Sequence, residues 1–125
     1  MRVMWVERDI EAPPEALWDL LTDVSRWSAW GPSVSDASLD GDVFELGSTG
    51  SVRTTPGVSF PFSVTAFEPG HRWRWSIAHV PATDHRVVRT EHGCRVGFGV
   101  PVWAAPYAVV CRSALRRLER LAIAR

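Results

Sequence analysis

The chain has 125 residues, 14 Lys and Arg against 14 Asp and Glu, 46% hydrophobic residues and seven tryptophans. A formal net charge of zero gives no bulk attraction to nucleic acid or to an anionic membrane surface, so nucleic acid is not an expected partner. The length fits one domain, expected over 1–125. No run approaches the roughly 18 apolar residues of a membrane span, and the start lacks the basic-then-apolar pattern of a secretory signal, so a cytoplasmic protein is expected.

Residues 2–10 alternate as a strand does, with Met4, Val6 and Ile10 on one face and Val3 and Trp5 on the other. Pro13 and Pro14 suit the first turn of a helix, where the missing amide donor costs nothing, and Leu17, Leu20, Leu21 and Val24 recur at helical spacing. Arg26 to Trp30 reads as a short second helix stopped by Gly31-Pro32. Six strand-like runs follow, at 34–40, 42–54, 58–68, 71–79, 84–91 and 94–101. They are separated by Asp40-Gly41-Asp42, Pro56-Gly57, Glu68-Pro69-Gly70, Pro81 to Asp84 and His92-Gly93. Short turns between successive strands predict an antiparallel meander.

From about Ala104 the period becomes helical. Tyr107, Val110, Cys111, Ala114, Leu118, Leu121 and Ala122 share one face, opposite Arg112, Arg116, Glu119 and Arg120. The basic stretch of Arg112, Arg116, Arg117 and Arg120 reads as a solvated helix face. The two cysteines, Cys94 and Cys111, form no Cys-x-x-Cys pair and are expected to be reduced and buried, Cys111 as a small core hydrophobe.

Two stretches carry a family likeness. The strand ending in Ile10, then Ala12-Pro13-Pro14-Glu15, Leu17-Trp18, Asp19 and the tryptophan-containing second helix, resembles the opening of the START-like (SRPBCC) superfamily, in its polyketide cyclase/dehydrase and lipid-transport branch. Val64 to Trp75, with Glu68-Pro69-Gly70 at its centre, is similar to that family's turn between two central strands. The resemblance implies an α+β helix-grip fold: a curved antiparallel sheet of six to seven strands around a long C-terminal helix, two short helices after the first strand, and a cavity between sheet and helix. It also implies that Trp30 lies near the mouth of that cavity and Tyr107 on the helix facing it.

Within that frame Trp73, Trp75, Ile77 and His79 share a face of their strand, with Arg72, Arg74 and Ser76 on the other. Phe60, Phe62, Val64 and Ala66 share a face of the preceding strand, and Phe44 and Leu46 belong to an earlier one. These aromatics either fill a core or wall a pocket. As a pocket, the expected ligand contacts are Trp30, Phe44, Phe60, Phe62, Val64, Trp73, Trp75, Ile77, His79, Tyr107 and Cys111, with His79, Tyr107 and Ser48 fixing orientation.

The densest titratable run is His79, Asp84, His85, Arg86, Arg89, Glu91 and His92. Alternation sends His85, Arg89 and Glu91 to one side and Asp84, Arg86 and Thr90 to the other, which predicts a solvated hairpin rather than one acid/base site. His79 and His85 have no third ligand at a metal-site spacing, so neither a metal nor another cofactor is expected. Gly47-Ser48-Thr49-Gly50 is not a nucleophile elbow, and a strand bend or bulge accounts for its glycines.

Three functions fit. The first is a binding or carrier protein, monomeric or homodimeric, for a small hydrophobic or aromatic molecule such as a lipid or polyketide-like compound. The second is a cyclase/dehydratase-type enzyme using His79 and Tyr107 as acid and base. The third is an interaction module with a reduced cavity. The lack of a compact acid/base constellation favours binding.

Overall fold

The structure, a computed structural model, describes residues 2–124, so the outermost residues of the expected domain, Met1 and Arg125, lie outside the described residues. Strand β1 (Val3–Ile10) leads into helix α1 (Pro14–Thr22), a 3₁₀ turn (Val24–Arg26) and helix α2 (Trp27–Trp30). Strands β2 (Val34–Leu39), β3 (Thr49–Thr54), β4 (Ser59–Glu68), β5 (Arg72–Ile77), β6 (Val80–Thr90) and β7 (Gly93–Pro101) follow. A 3₁₀ segment (Val102–Tyr107) then enters the terminal helix α3 (Ala108–Ile123). The sheet order is β1-β7-β6-β5-β4-β3-β2, antiparallel throughout, so β2 to β7 form the expected meander and β1 closes onto β7. Helix α3 packs against β1, β7, α1 and α2. The architecture is the α+β helix-grip arrangement. Among the described residues no helix is long and apolar enough to cross a membrane.

Local chemistry explains the elements that frame the site. Leu17, Leu20, Leu21 and Val24 are all buried, as their spacing requires. The last turn of α1 leaves carbonyls without helical partners. Two buried indoles supply the donors: Trp27 Nε1–H donates to the Leu21 carbonyl at 3.0 Å and Trp30 Nε1–H to the Leu20 carbonyl at 2.9 Å. One pair of tryptophans three residues apart thus caps α1 and fixes α2 across the end of the sheet. On α3, Ala108, Cys111, Ala114, Leu115, Leu118 and Ala122 are buried. The exposed row of Arg112, Arg116 and Arg120 lies opposite.

Four boundaries differ from the sequence reading. The run 42–54 is a strand only from Thr49. Gly41 and Gly47 take φ of +97° and +86°, and Ser48 Oγ accepts from the Glu45 amide and donates to the Val43 carbonyl, closing a loop. The turn expected at Pro81 to Asp84 lies instead at Ala78-His79, both at positive φ (50° and 66°), and β6 begins at Val80. That two-residue hairpin lacks the glycine or asparagine that usually marks such backbone. Pro106 holds the approach to α3 in 3₁₀ form, so the α-helix starts at Ala108 rather than near Ala104. The fourth difference lies in strand parity. A bulge between Val64 and Ala66 turns Phe67 rather than Ala66 towards the interior, where its ring stands 5.8 Å from Trp18 and 6.1 Å from Phe44.

Candidate functional site

Two adjoining spaces lie along the inner face of the sheet, an inner one under α3 and an outer one beside the 3₁₀ segment. No described residue of α3 lines the outer wall, so the larger space is not between sheet and terminal helix as expected. The inner part is closed by aromatic rings. Trp27 stacks on Trp73 at 5.5 Å and 6° between planes, and Trp73 stacks on His85 at 3.8 Å and 17°. Phe44 meets the edge of Trp73 at 4.9 Å, while Phe98 stands 5.1 Å from His85 and 5.7 Å from Trp30. What remains is a void of about 30 Å³ bounded by Trp30, Trp73, Trp75, Thr83, His85 and Cys111, among others. That is room for about one water molecule.

The outer part is an open cavity of about 400 Å³. Its walls are apolar: Val34, Val52, Phe60, Ile77, Ala82 and Val100 from the sheet, and Trp103 and Ala104 from the 3₁₀ segment. Trp75, Thr83, Ser33, Val34 and Tyr107 border both parts, so the cavity opens inward onto the aromatic stack. Ser33 and Tyr107 share a hydroxyl–hydroxyl bond of 2.7 Å that ties the segment after α2 to the start of α3 at the rim. Trp103, 64% exposed, and Val80 extend the apolar surface outward.

A bulge between Arg74 and Ser76 sets two residues of β6, Ala82 and Thr83, against Trp75, and from there Thr83, His85 and Val87 point inward. His85 is 2% exposed, and burial pushes its pKa down to about 3. Its imidazole is therefore neutral at physiological pH. Its Nδ1 stands 3.2 Å from the Trp73 carbonyl, which only accepts, so the ring proton sits on Nδ1. Nε2 then accepts from the Thr83 hydroxyl at 3.1 Å, and Thr83 Oγ1 accepts from Trp75 Nε1–H at 2.9 Å. Asp84 points to the outer face of the sheet, where Arg72 Nε donates to both its oxygens at 3.0–3.1 Å and Arg74 lies 3.5 Å away. The division of Asp84 and Arg86 from His85 follows the alternation. The expected solvated hairpin does not hold at Asp84 and His85, because both are buried, one against Arg72 and Arg74 and the other in the aromatic stack.

Of the residues expected to touch a ligand, Phe60 and Ile77 line the outer cavity, Trp30, Trp73 and Cys111 the inner void, and Trp75 and Tyr107 both. Phe62 and Val64 are core, Phe62 packing on Trp27 and Trp75 at 5.4 and 5.6 Å. Phe44 reaches the stack from the 40–48 loop and Leu46 is exposed, so neither sits on a strand face. Ser48 holds that loop together and lines neither cavity. His79 is exposed in the hairpin turn, because the strand ends at Ile77; it lies off the cavity walls and apart from buried His85. Tyr107 lies at the rim with its phenol pKa raised, chiefly by burial of the hydroxyl. Thr83, His85, Ser33 and Trp103 were not singled out for the cavity from sequence. For Thr83 and His85 the available signal was their shared parity with Val87.

The fold has close counterparts among solved structures. A Mesorhizobium loti protein aligns with a TM-score of 0.77 at 19% identity, covering 96% of each chain. A Bacillus halodurans protein aligns with a TM-score of 0.77 at 13% identity, covering 98% of this chain and 97% of its own. The di-domain ARO/CYC StfQ of the steffimycin biosynthetic pathway aligns with a TM-score of 0.72 at 12% identity, covering 96% of this chain and 50% of StfQ. No curated protein matches the chain. The sequence model of the family described as polyketide cyclase/dehydrase and lipid transport matches residues 1–124, from β1 through α3, and the chain belongs to that family.

Proposed function

We propose that this protein binds and carries a small hydrophobic or aromatic molecule in the outer cavity between the sheet and the 3₁₀ segment that precedes α3. The observation that carries this reading is the contrast in volume: about 400 Å³ of apolar-walled space at the mouth against about 30 Å³ further in. Ligand pockets typically run from about 300 to 1,000 Å³, so the mouth suits a compact ligand and the inner void suits none. Apolar walls with a few hydroxyl groups and, among the described residues, no charged side chain fit an uncharged molecule.

The titratable groups near the cavity favour carriage over catalysis. His85 is neutral with both ring nitrogens engaged, and the Tyr107 phenol is held above its ordinary range. Buried and hydrogen-bonded at both nitrogens, His85 is poorly placed to exchange a proton near neutral pH, which acid/base catalysis needs. Native mass spectrometry of the protein purified gently from its own host tests the reading. A bound neutral molecule of apolar character is the expected result. A protein that emerges empty and also fails to take up neutral aromatic compounds in calorimetric titrations overturns it.

A further inference from the structure

We infer that Thr83 reads one uncharged hydrogen-bond donor at the inner end of the cavity, so that the ligand is a neutral hydroxyl-bearing aromatic, a phenol or polycyclic alcohol, bound hydroxyl first. This rests on the outer cavity being the ligand site and names the class of ligand it selects.

A neutral imidazole has one N–H, and at His85 it is committed to the Trp73 carbonyl. Nε2 must therefore receive a proton, and the hydroxyl 3.1 Å away is that of Thr83. A threonine hydroxyl has one proton and two acceptor positions. The proton is spent on His85, and one acceptor position is filled by Trp75 Nε1–H at 2.9 Å. One acceptor position remains and no donor. Thr83 borders both the outer cavity and the inner void, at the boundary where a ligand entering from the mouth must stop.

A ligand hydroxyl meeting Thr83 Oγ1 completes the network. A carbonyl or ether oxygen at the same place sets lone pair against lone pair. A carboxylate is worse, because among the described residues no Lys or Arg lines either cavity and the charge would be desolvated without a partner. The acceptor is also held in advance, since Trp75 and His85 lie within the ring cluster and fix the hydroxyl from two sides.

Calorimetric titration with naphthalene, 2-naphthol, 2-methoxynaphthalene and 2-naphthoate tests this at one ring size. The expected order places 2-naphthol tightest, about threefold to tenfold tighter than the methyl ether, the range of a single net hydrogen bond. The carboxylate is expected to be weakest. Thr83→Val should bring 2-naphthol down to the ether while Thr83→Ser keeps the preference; if the valine variant does not fold, the wild-type ratio and the serine variant decide. Equal binding of 2-naphthol and its ether, or tightest binding by the carboxylate, overturns the role of Thr83 and leaves the cavity reading standing. If none of the four binds, the cavity reading fails and the inference with it.

Discussion

The two adjoining spaces along the inner face of the sheet, one under α3 and one beside the 3₁₀ segment, are built from the same kinds of residue to opposite effect. In the inner half Trp27, Trp73 and His85 stack face to face, with Phe44, Phe62, Trp75 and Phe98 against their edges, leaving about 30 Å³. In the outer half Phe60, Ile77, Trp75 and Trp103 stand around about 400 Å³. Aromatic richness alone therefore does not mark a binding site. What separates the halves is whether a second layer reaches the rings. Helix α2 and the 40–48 loop deliver Trp27 and Phe44 onto Trp73, whereas Trp103, on the 3₁₀ segment, stays largely exposed. The inner half should govern stability and the outer half binding.

The largest effect expected from that division is at Trp73. Its ring is wholly buried between Trp27 and His85, so Trp73→Ala removes the centre of the stack and leaves a cavity. A loss of about 3–5 kcal/mol is expected from urea unfolding. A loss below about 1 kcal/mol would show that the stack is not the stabilising half.

The next effect is pH-dependent and belongs to the same half. The His85 pKa is pushed down to about 3, against an ordinary value near 6.5 in the unfolded chain. Between those values the unfolded state binds a proton that the native state does not, so stability is full above about pH 6.5 and falls as pH drops towards 3. The slope approaches about 1.4 kcal/mol per pH unit at most. Asp9, lowered by its bond from Arg95, and Glu15, lowered first by its own backbone amide and then by Arg89, add to the loss only in the carboxylate range. The window from pH 6.5 to 5 lies above the carboxylate range, and His85→Gln should flatten the unfolding free energy there. An unchanged slope in that variant would mean that another group carries it.

The sequence allowed some of this to be read and concealed the rest for identifiable reasons. Periodicity sufficed for the buried face of α1, for Cys111, Ala114, Leu118 and Ala122 of α3, and for Trp73 and Trp75 turning inward, because nothing interrupts those stretches. It failed at the bulges. One extra residue at Thr65 and another near Ala82-Thr83 reverse strand parity, and such an insertion leaves no mark in alternating hydrophobicity. Thr83 was read as turn for a related reason: Pro81 to Asp84 has better turn chemistry than Ala78-His79, yet the chain turns at the latter. The polar centre of the site thus lay inside a segment whose local chemistry argued for a loop.

The smallest stability effect expected is at Ile77, and it divides the halves most sharply. Ile77 ends β5, pairs with Val80 across the turn and contributes a wall of the outer cavity. Ile77→Trp keeps a residue that strands accept, and its added bulk enters open space rather than a packed core. Stability should therefore stay within about 1 kcal/mol of the original. Binding should not survive, since the new ring occupies the volume the ligand needs. Calorimetry with 2-naphthol beside urea unfolding reads both quantities on one protein. Loss of binding at unchanged stability ties recognition to the mouth, whereas full affinity in Ile77→Trp would place the ligand elsewhere. Loss of both would mean that the mouth, like the stack, is part of the core, and the division between the halves would not stand.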